Sequence, residues 1–500
     1  LGVDSQAPAG GFDNTFTIAN SGLFNLVSTG QSTSNAWLTR TQDAGASQKK
    51  FTFSFWFKMS DVSLGTNHYI WNDDAASGSS YSGILLNASE KLSFLSYLGA
   101  TQMLVTTNRV FQDSSQWYHG VVAVDTAQST ALERVRIYIN GVEEAVTVVN
   151  QVPQDSTLMS VGDANGISVG AFIASSAPRL PYDGYLAEFV YINNVQLTPS
   201  SFGQTDTSTN RWIPKAVSGL TYDATGYYLN FAGATSDLGD DASGNSNDFA
   251  NNNNNALRVT DSPTTNFATI DPNNSFGGAS ALSEGNLKIT GSAATTSCNR
   301  LSTLGLTSGK WIIASRPAAA VAYNCGTYVT NEAGVASNTT SLYNDTSGNY
   351  IGLDIASATQ MYAQVGVGQT NVTPSPNFEG GVDYLLLALD ADNNKVYIGW
   401  HDVSGSTTYW LNGAAWTGNP VTGVGGVLIS GNEFKFVFAS YSGRSGLVDF
   451  GQGTFLSNVT MPTGYIAVSQ DNMAGTDQFI SAFSWIKNRD ATDNHMLFDR

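Results

Sequence analysis

Charge is scarce in this sequence. Charged side chains make up 12% of the 500 residues, about half the usual share of a soluble globular protein. Solubility must rest on Ser, Thr, Asn, Gln and Gly. Basic residues are the scarcer kind: 22 Lys+Arg stand against 40 Asp+Glu, a formal net charge of −18. No basic cluster exists, which argues against sequence-independent nucleic-acid binding. An anionic membrane surface would also repel the chain, so divalent cations or neutral glycans are the easier partners. Proline is low (13) and glycine high (50), the profile of an all-β protein with many tight turns. That profile fits extracellular or virion proteins better than cytosolic enzymes. No apolar run reaches the roughly 18 residues of a membrane-spanning helix. The start, LGVDSQAPAGGFDNTF, lacks the basic and apolar stretches of a signal peptide and has no Met, as expected of a processed or truncated product.

Catalytic signatures are scarce too. The four histidines, His68, His119, His401 and His495, have no zinc spacing, and His119, following Trp117-Tyr118, reads as structural. No nucleophile elbow, P-loop or dinucleotide fingerprint appears. A glycosidase would need paired carboxylates on one face. Asp183 and Glu188 are five apart and Glu143 and Glu144 are adjacent, so either pair on one strand points to opposite faces. The two cysteines, Cys298 and Cys325, form no zinc motif. They are either a disulfide within one domain or two buried free thiols.

What is abundant is strand pattern. In FTFSFWFKM (51–59), Phe51, Phe53, Phe55 and Phe57 alternate with Thr52, Ser54, Trp56 and Lys58, giving one fully apolar face. WYHGVVAVD (117–125) and VRIYINGVEEAVTVV (135–149) follow, the latter with Asn140-Gly141 as a hairpin turn, because a type I′ turn needs two positive φ values. ISVGAFI (167–173) and YLAEFVYINNVQL (185–197) complete a first block, which ends at a turn or short helix in LTPSSFG (197–203). A second block contains KWIIASRP (310–317), VDYLLLALDADNNKVYIGWHD (382–402) with its Asp392-Asn393-Asn394 turn, EFKFVFASY (433–441) and GYIAVSQ (464–470). Such spacing argues for β-sandwiches or jelly rolls.

The ordered set FTFSFWFKMSD, WYHGVVAVDTA, VRIYINGVEE and SVGAFIASSAPRLPYDGYLAEFVYINNVQLT resembles the laminin G-like, concanavalin A-like lectin superfamily over residues 13–203. SGKWIIAS (308–315), VDYLLLALDADNNKVYIGWHDVSGSTTYWLNG (382–413), NPVTGVGG (419–426) and LVDFGQGTF with PTGYIAVSQ (447–470) resemble a SPRY domain, with Ile312 where an aromatic is usual and Gly381-Val382 before Asp383. Together with DASGNSND (241–248), DSPTTNFATID (261–271) and the closing SWIKNRDATDNHMLFDR, the whole resembles fibre or adhesin-like proteins of marine bacteriophages. The resemblance implies an all-β chain of tandem antiparallel β-sandwiches: an arm (1–12), a laminin G-like jelly roll (13–203), an Asn/Asp-rich connecting segment with strands (204–278), a SPRY-like sandwich (279–475), and the start of a further domain or exchanged strand (476–500), with the natural chain continuing. It implies a non-catalytic virion-surface or tail-fibre role, homo-oligomeric (a trimer is usual in fibres), with virion subunits or cell-surface glycans as partners. A secreted polysaccharide-degrading glycosidase and a bacterial surface adhesin are the alternatives.

Binding candidates are aromatics expected on loops, where sugar faces stack: Tyr69, Trp71, Asp73, Asp74 and Tyr81 in 68–83, and Tyr409, Trp410 and Trp416 in 407–420. The competing reading plugs the sandwich ends with them. In DLGDDASGNSNDFANNNNN (237–255) an EF-hand fails, since Ser243 and Asn252 stand where ligands are needed. Residues 237–249 read instead as an ordered Asx-rich turn, with Asp240, Asp241 and Asn245 as candidate calcium ligands. The Asn run after it reads as the flexible part. Six Asn-x-Ser/Thr sequons, at Asn87, Asn273, Asn338, Asn344, Asn371 and Asn458, matter only in a glycosylating host.

Overall fold

A computed structural model of the chain describes residues 16–25, 32–41, 47–63, 65–74, 80–98, 101–157, 166–174, 177–207, 209–292, 297–319, 325–331, 342, 346–366, 368–473, 484–486 and 496–498. The arm 1–12 and the sequons Asn338 and Asn344 lie outside the described residues. Two antiparallel β-sandwiches follow one another along the chain. In the first, sheet A runs in the order Val142–Glu143, Val135–Ile139, Tyr118–Asp125, Lys50–Met59, Gly184–Asn193, Ser21–Phe24, Leu257–Val259, with Tyr227–Leu229 also paired to Gly184–Asn193. Sheet B runs Val146–Val149, Thr101–Thr107, Leu92–Leu98, Ser80–Leu86, His68–Asp74, Gly166–Val169, Leu38–Thr41, Ala250–Asn251. In the second, sheet C runs Ile270–Gly277, Ser297–Ser302, Phe434–Tyr441, Cys325–Asn331, Tyr350–Ser357, Gln360–Val365, Gln369–Val372. Sheet D runs Ser280–Ser283, Lys288–Gly291, Ser445–Asp449, Lys310–Pro317, Tyr384–Asp390, Lys395–Asp402, Thr407–Trp410, with Val427–Leu428 on Lys395–Asp402. No helix among the described residues is long and apolar enough to cross a membrane.

The alternation in 51–59 builds the first core. Phe51, Phe53, Phe55 and Phe57 are all wholly buried between sheets A and B. The opposite face is not left to water, because Thr52, Ser54, Trp56 and Lys58 are buried as well. Segments downstream cover them: Val195, Leu197, Phe202, Val217 and Tyr222 lie over sheet A, and Trp212 covers His119. The hairpin at Asn140-Gly141 forms as read, with φ of 48° and 82°. A side chain at 141 would collide with the Trp212 ring, 2.4 Å from its Cβ position, so glycine is required there on both counts. Pro199–Ser201 forms the expected short helix.

Within 204–278, Trp212–Pro214 pairs with Gly203–Thr205 in a small sheet of its own, and the remaining strands divide between the two sandwiches. Tyr227–Leu229 and Leu257–Val259 extend sheet A, Ala250–Asn251 extends sheet B, and Ile270–Gly277 opens sheet C. What reads as a connector is mostly sandwich edge. In 476–500 the described strands Ser484–Ile486 and Met496–Phe498 pair with each other.

The Asx-rich stretch is ordered, and so is the Asn run, which corrects its reading as flexible. Both Asp241 carboxylate oxygens accept hydrogen bonds: Oδ1 from Tyr228 N and Ser243 N, Oδ2 from Ser243 Oγ and Asn247 N, all 2.7–2.9 Å. Beyond it, Asn252 donates to Thr39 Oγ1, and Asn253 and Asn255 donate to Thr33 O. A run of identical amides thus stitches the chain to 33–39 across more than 200 residues of sequence.

The disulfide reading is corrected. Cys298 and Cys325 are buried thiols not joined in a disulfide, and both sit opposite Ser440, on the two neighbours of the Phe434–Tyr441 strand. Two strand spacings separate them by about 9.5 Å, beyond the roughly 7 Å limit for a disulfide. Burial raises the Cys325 thiol far above its ordinary value, so this sulfur stays a neutral packing group.

Candidate functional site

Within 68–83, the described residues 68–74 and 80–83 are strand rather than loop. His68–Asp74 and Ser80–Leu86 pair in sheet B, which corrects the expected loop. A register shift between Tyr69 and Trp71 turns Ile70 and Trp71 both inward. Trp71 is 1% exposed, lies 4.5 Å from Phe53 and donates to Tyr227 Oη at 2.9 Å. It is a core residue and does not meet a ligand. Asp73 is wholly buried; the Asp74 side chain lies outside the described residues.

Tyr69 and Tyr81 point to the other, outer face of sheet B, where they join a cluster with Phe172, Leu85 and Leu95. Tyr81 stands directly opposite Tyr97 across the Ser80–Leu86 and Leu92–Leu98 strands. Their rings stack at 4.9 Å and 25°, and both remain half-buried. Phe172 packs T-shaped against Tyr81 at 4.9 Å and tilted by 52° against Tyr69 at 4.9 Å. Arg179 lies 4.8 Å over the Phe172 ring, a cation–π arrangement. The Tyr69 hydroxyl is pushed well above its ordinary range by burial, then by its hydrogen bond and charge interaction with Tyr81, while Arg179 pulls it back. Glycine at 83 lets the Tyr69 ring lie flat, since any Cβ would be 2.7 Å from it. Two flat rings, a guanidinium and hydroxyls on a rigid sheet can stack a sugar ring and bond its hydroxyls.

Sequence reading found Tyr69 and Tyr81 but missed Tyr97, Phe172 and Arg179. Tyr97 was recoverable from the alternation in LSFLSYL, which puts Ser93, Leu95 and Tyr97 on one face. Phe172 and Arg179 come from the small hairpin Phe172–Ala174 with Ala177–Arg179, which no local pattern announces.

The 407–420 candidates separate. Trp410 is 9% exposed and packs under Phe455, Leu456 and Tyr465 on the outer side of sheet D. Tyr409 and Trp416, half-buried, close the end of the second core around Trp400, at 4.8 Å stacked and 6.2 Å edge-on. Trp416 is anchored by its indole N–H on Thr373 O at 2.7 Å. This is the sandwich-end plug rather than a splayed binding loop.

At the proposed calcium turn, Asn245 donates its amide to Asp223 O and Gly226 O, Asp241 is spent on the turn, and Asp240 is exposed. Among the described residues no group of three or more His, Cys, Asp or Glu is placed to hold a metal ion. Glu144 pairs with Arg109 at 2.9 Å and Glu143 with Arg136 at 3.7 Å, so both serve surface ion pairs. His119 stacks between Trp56 and Trp212, accepts from Trp212 Nε1 at Nδ1 and faces Ser54 with Nε2. It is structural, as read.

Residues 25–201 match the family model described as the concanavalin A-like lectin/glucanases superfamily. The first sandwich therefore has the concanavalin A-like lectin fold expected of it. No curated protein sequence matches the chain. Among solved structures, it is similar to a putative carbohydrate-binding protein from Bacteroides ovatus (15% identity, 49% of this chain and 60% of that one, TM-score 0.33). It is also similar to a pentraxin from Limulus polyphemus (13%, 37% and 80%, TM-score 0.28) and to the SPRY domain of human HERC1 (15%, 37% and 99%, TM-score 0.26). This chain thus spans three-fifths of the Bacteroides protein.

Proposed function

We propose that the chain is a non-catalytic glycan-recognition protein of a virion surface or tail fibre, and that its first sandwich reads the sugar on the outer face of sheet B. The observation that carries this is the half-exposed Tyr81–Tyr97 stack beside Phe172 and Arg179. Aromatic platforms hold sugars without charge, which suits a chain with so few charged side chains. A glycan array probed with the full chain tests it. Wild type binds a defined set of neutral glycans, and Tyr81→Ala and Tyr97→Ala each lose about fivefold in affinity, given about 1 kcal/mol per aromatic contact. Trp416→Ala, in the other sandwich, keeps full binding. No glycan bound, or binding indifferent to both tyrosines, overturns the site. Release of reducing sugar from a bound polysaccharide would return the glycosidase. An antibody against the chain that fails to decorate intact particles would remove the virion.

A further inference from the structure

Lys58 is the one buried lysine among the described residues. It leaves the Lys50–Met59 strand on the face away from the phenylalanines and has no exposed side-chain surface. Its Nζ lies 2.8 Å from Asp261 Oδ2, 2.8 Å from Asn266 Oδ1 and 2.9 Å from Phe267 O. Asp261 is also wholly buried and Asn266 is 5% exposed. Aromatic rings wall the group: Trp117 donates its indole N–H to Asp261 Oδ1 at 3.0 Å, and Nζ lies 5.6 Å over the Tyr185 ring. The Asn266 amide nitrogen points away, to Ser115 O at 2.7 Å and Gln470 Oε1 at 3.2 Å. An amine, a carboxyl and a carboxamide are thereby held together away from the solvent-exposed surface.

We propose that Lys58 and Asn266 join in an intramolecular isopeptide bond, with Asp261 as the catalytic residue. An amide C=O is about 1.23 Å long, so the Asn266 carbon is within about 4 Å of Nζ, near the separation from which an amine attacks. Nζ gives a proton to Asp261 along their hydrogen bond and attacks Asn266 Cγ. The new C–N bond forms, and the oxygen of the tetrahedral intermediate takes the negative charge. Asp261 returns the proton to Nδ2, and the Cγ–Nδ2 bond breaks as the C=O re-forms; of the two protons left on Nζ, one goes to the departing ammonia and the other stays on the new amide nitrogen. One ammonia leaves, no oxidant or cofactor is consumed, and Asp261 is regenerated. Burial favours the step because separated charges are costly away from water, whereas a neutral amide is not. The product ties a strand of sheet A to the DSPTTNF segment, 208 residues away, at the point where the first sandwich gives way to the second.

Intact-mass spectrometry of the denatured full chain tests this, followed by a digest. Wild type is expected to be lighter than its sequence by one ammonia and to yield a branched peptide joining the Lys58 and Asn266 segments. Asp261→Asn and Lys58→Met are expected at the unmodified mass. Wild type at the unmodified mass overturns the proposal and leaves an ordinary buried ion pair. So does an ammonia loss confined to the Asn266 peptide, which is a cyclic imide, or a loss of water with Lys58 joined to Asp261. The wild-type result decides even if a variant fails to fold.

Discussion

Glu188 occupies a bulge, where the register between Gly184–Asn193 and Lys50–Met59 shifts between Ala187 and Val190, and its φ is 49°. A left-handed, non-glycine residue in a strand is strained, and this one is also 7% exposed. Burial raises its carboxyl to about 7, against the pull of the Tyr228 hydroxyl that bonds it. The folded state therefore favours the neutral acid. Below about 4.5 the group costs nothing; as pH rises toward 7 the unfolded chain ionises first, and stability falls by about 3 kcal/mol. Glu188→Gln should remove this slope: its urea midpoint should exceed that of wild type at pH 8 and match it near pH 4.5. Equal midpoints at both values would mean that Glu188 ionises freely in the fold. His119 works in the opposite sense, because burial lowers it to about 3. Its contribution is present above about 6.5 and is lost as pH falls, because the unfolded imidazole takes the proton first. His119→Gln should then flatten the acid limb of a midpoint-against-pH curve, and an unchanged limb would assign acid sensitivity elsewhere.

Among the elements, the Asn run shows where sequence reading stops. Period-two alternation and turn residues are local, so Lys50–Met59, the Asn140-Gly141 hairpin and the strand Lys310–Pro317 were legible. Five consecutive asparagines carry no alternation and resemble a linker. Their order comes from carbonyls supplied by 33–39, which no local pattern shows. Trp71 failed for the same kind of reason: the bulge that turns it into the core and leaves Tyr69 on the outer face depends on pairing with Ser80–Leu86. Within the run the residues are not equivalent. Asn251 donates to Thr235 O and Ala256 O and accepts from Ala256 N. Asn253 and Asn254 supply left-handed turns at φ of 54° and 53°, which Asn tolerates. Asn251→Ala leaves three backbone groups to find other partners and should cost about 2 kcal/mol. Asn254→Gly keeps the backbone and should stay within about 0.5 kcal/mol of wild type. Urea denaturation of the two variants checks this, and equal losses would show that the run acts through composition alone.

For the whole molecule, the question is whether two sandwiches make two folding units. Their sheets are separate, and the sequence marks two blocks, but it does not reveal how the blocks meet. They meet through side-chain donors, of which Tyr185 and Asn286 are buried. Tyr185 Oη bonds Gly285 O at 2.7 Å, Asn286 Nδ2 bonds Ser60 O at 2.7 Å, and Thr260 Oγ1 bonds Gln452 O at 3.2 Å. A polar cleft of about 210 Å³ opens along the same junction, lined by Asp113 and Ser115 from one side and Asp271 and Thr303 from the other. Asn286 holds a φ of 62°, so its backbone as well as its amide is committed to the contact. Separating the sandwiches would leave Gly285 O and Ser60 O without their donors, at about 1 kcal/mol or more each if they stayed buried. Unfolding of one sandwich should therefore draw the other with it. Wild type is expected to melt in a single calorimetric transition. Tyr185→Phe with Asn286→Gly, which removes both donors while keeping ring packing and the left-handed backbone, should resolve it into two. Two transitions in wild type would show that the junction only tethers the sandwiches, and a single transition in the double variant would place the coupling in other contacts, with the Lys58–Asp261–Asn266 group the first to test.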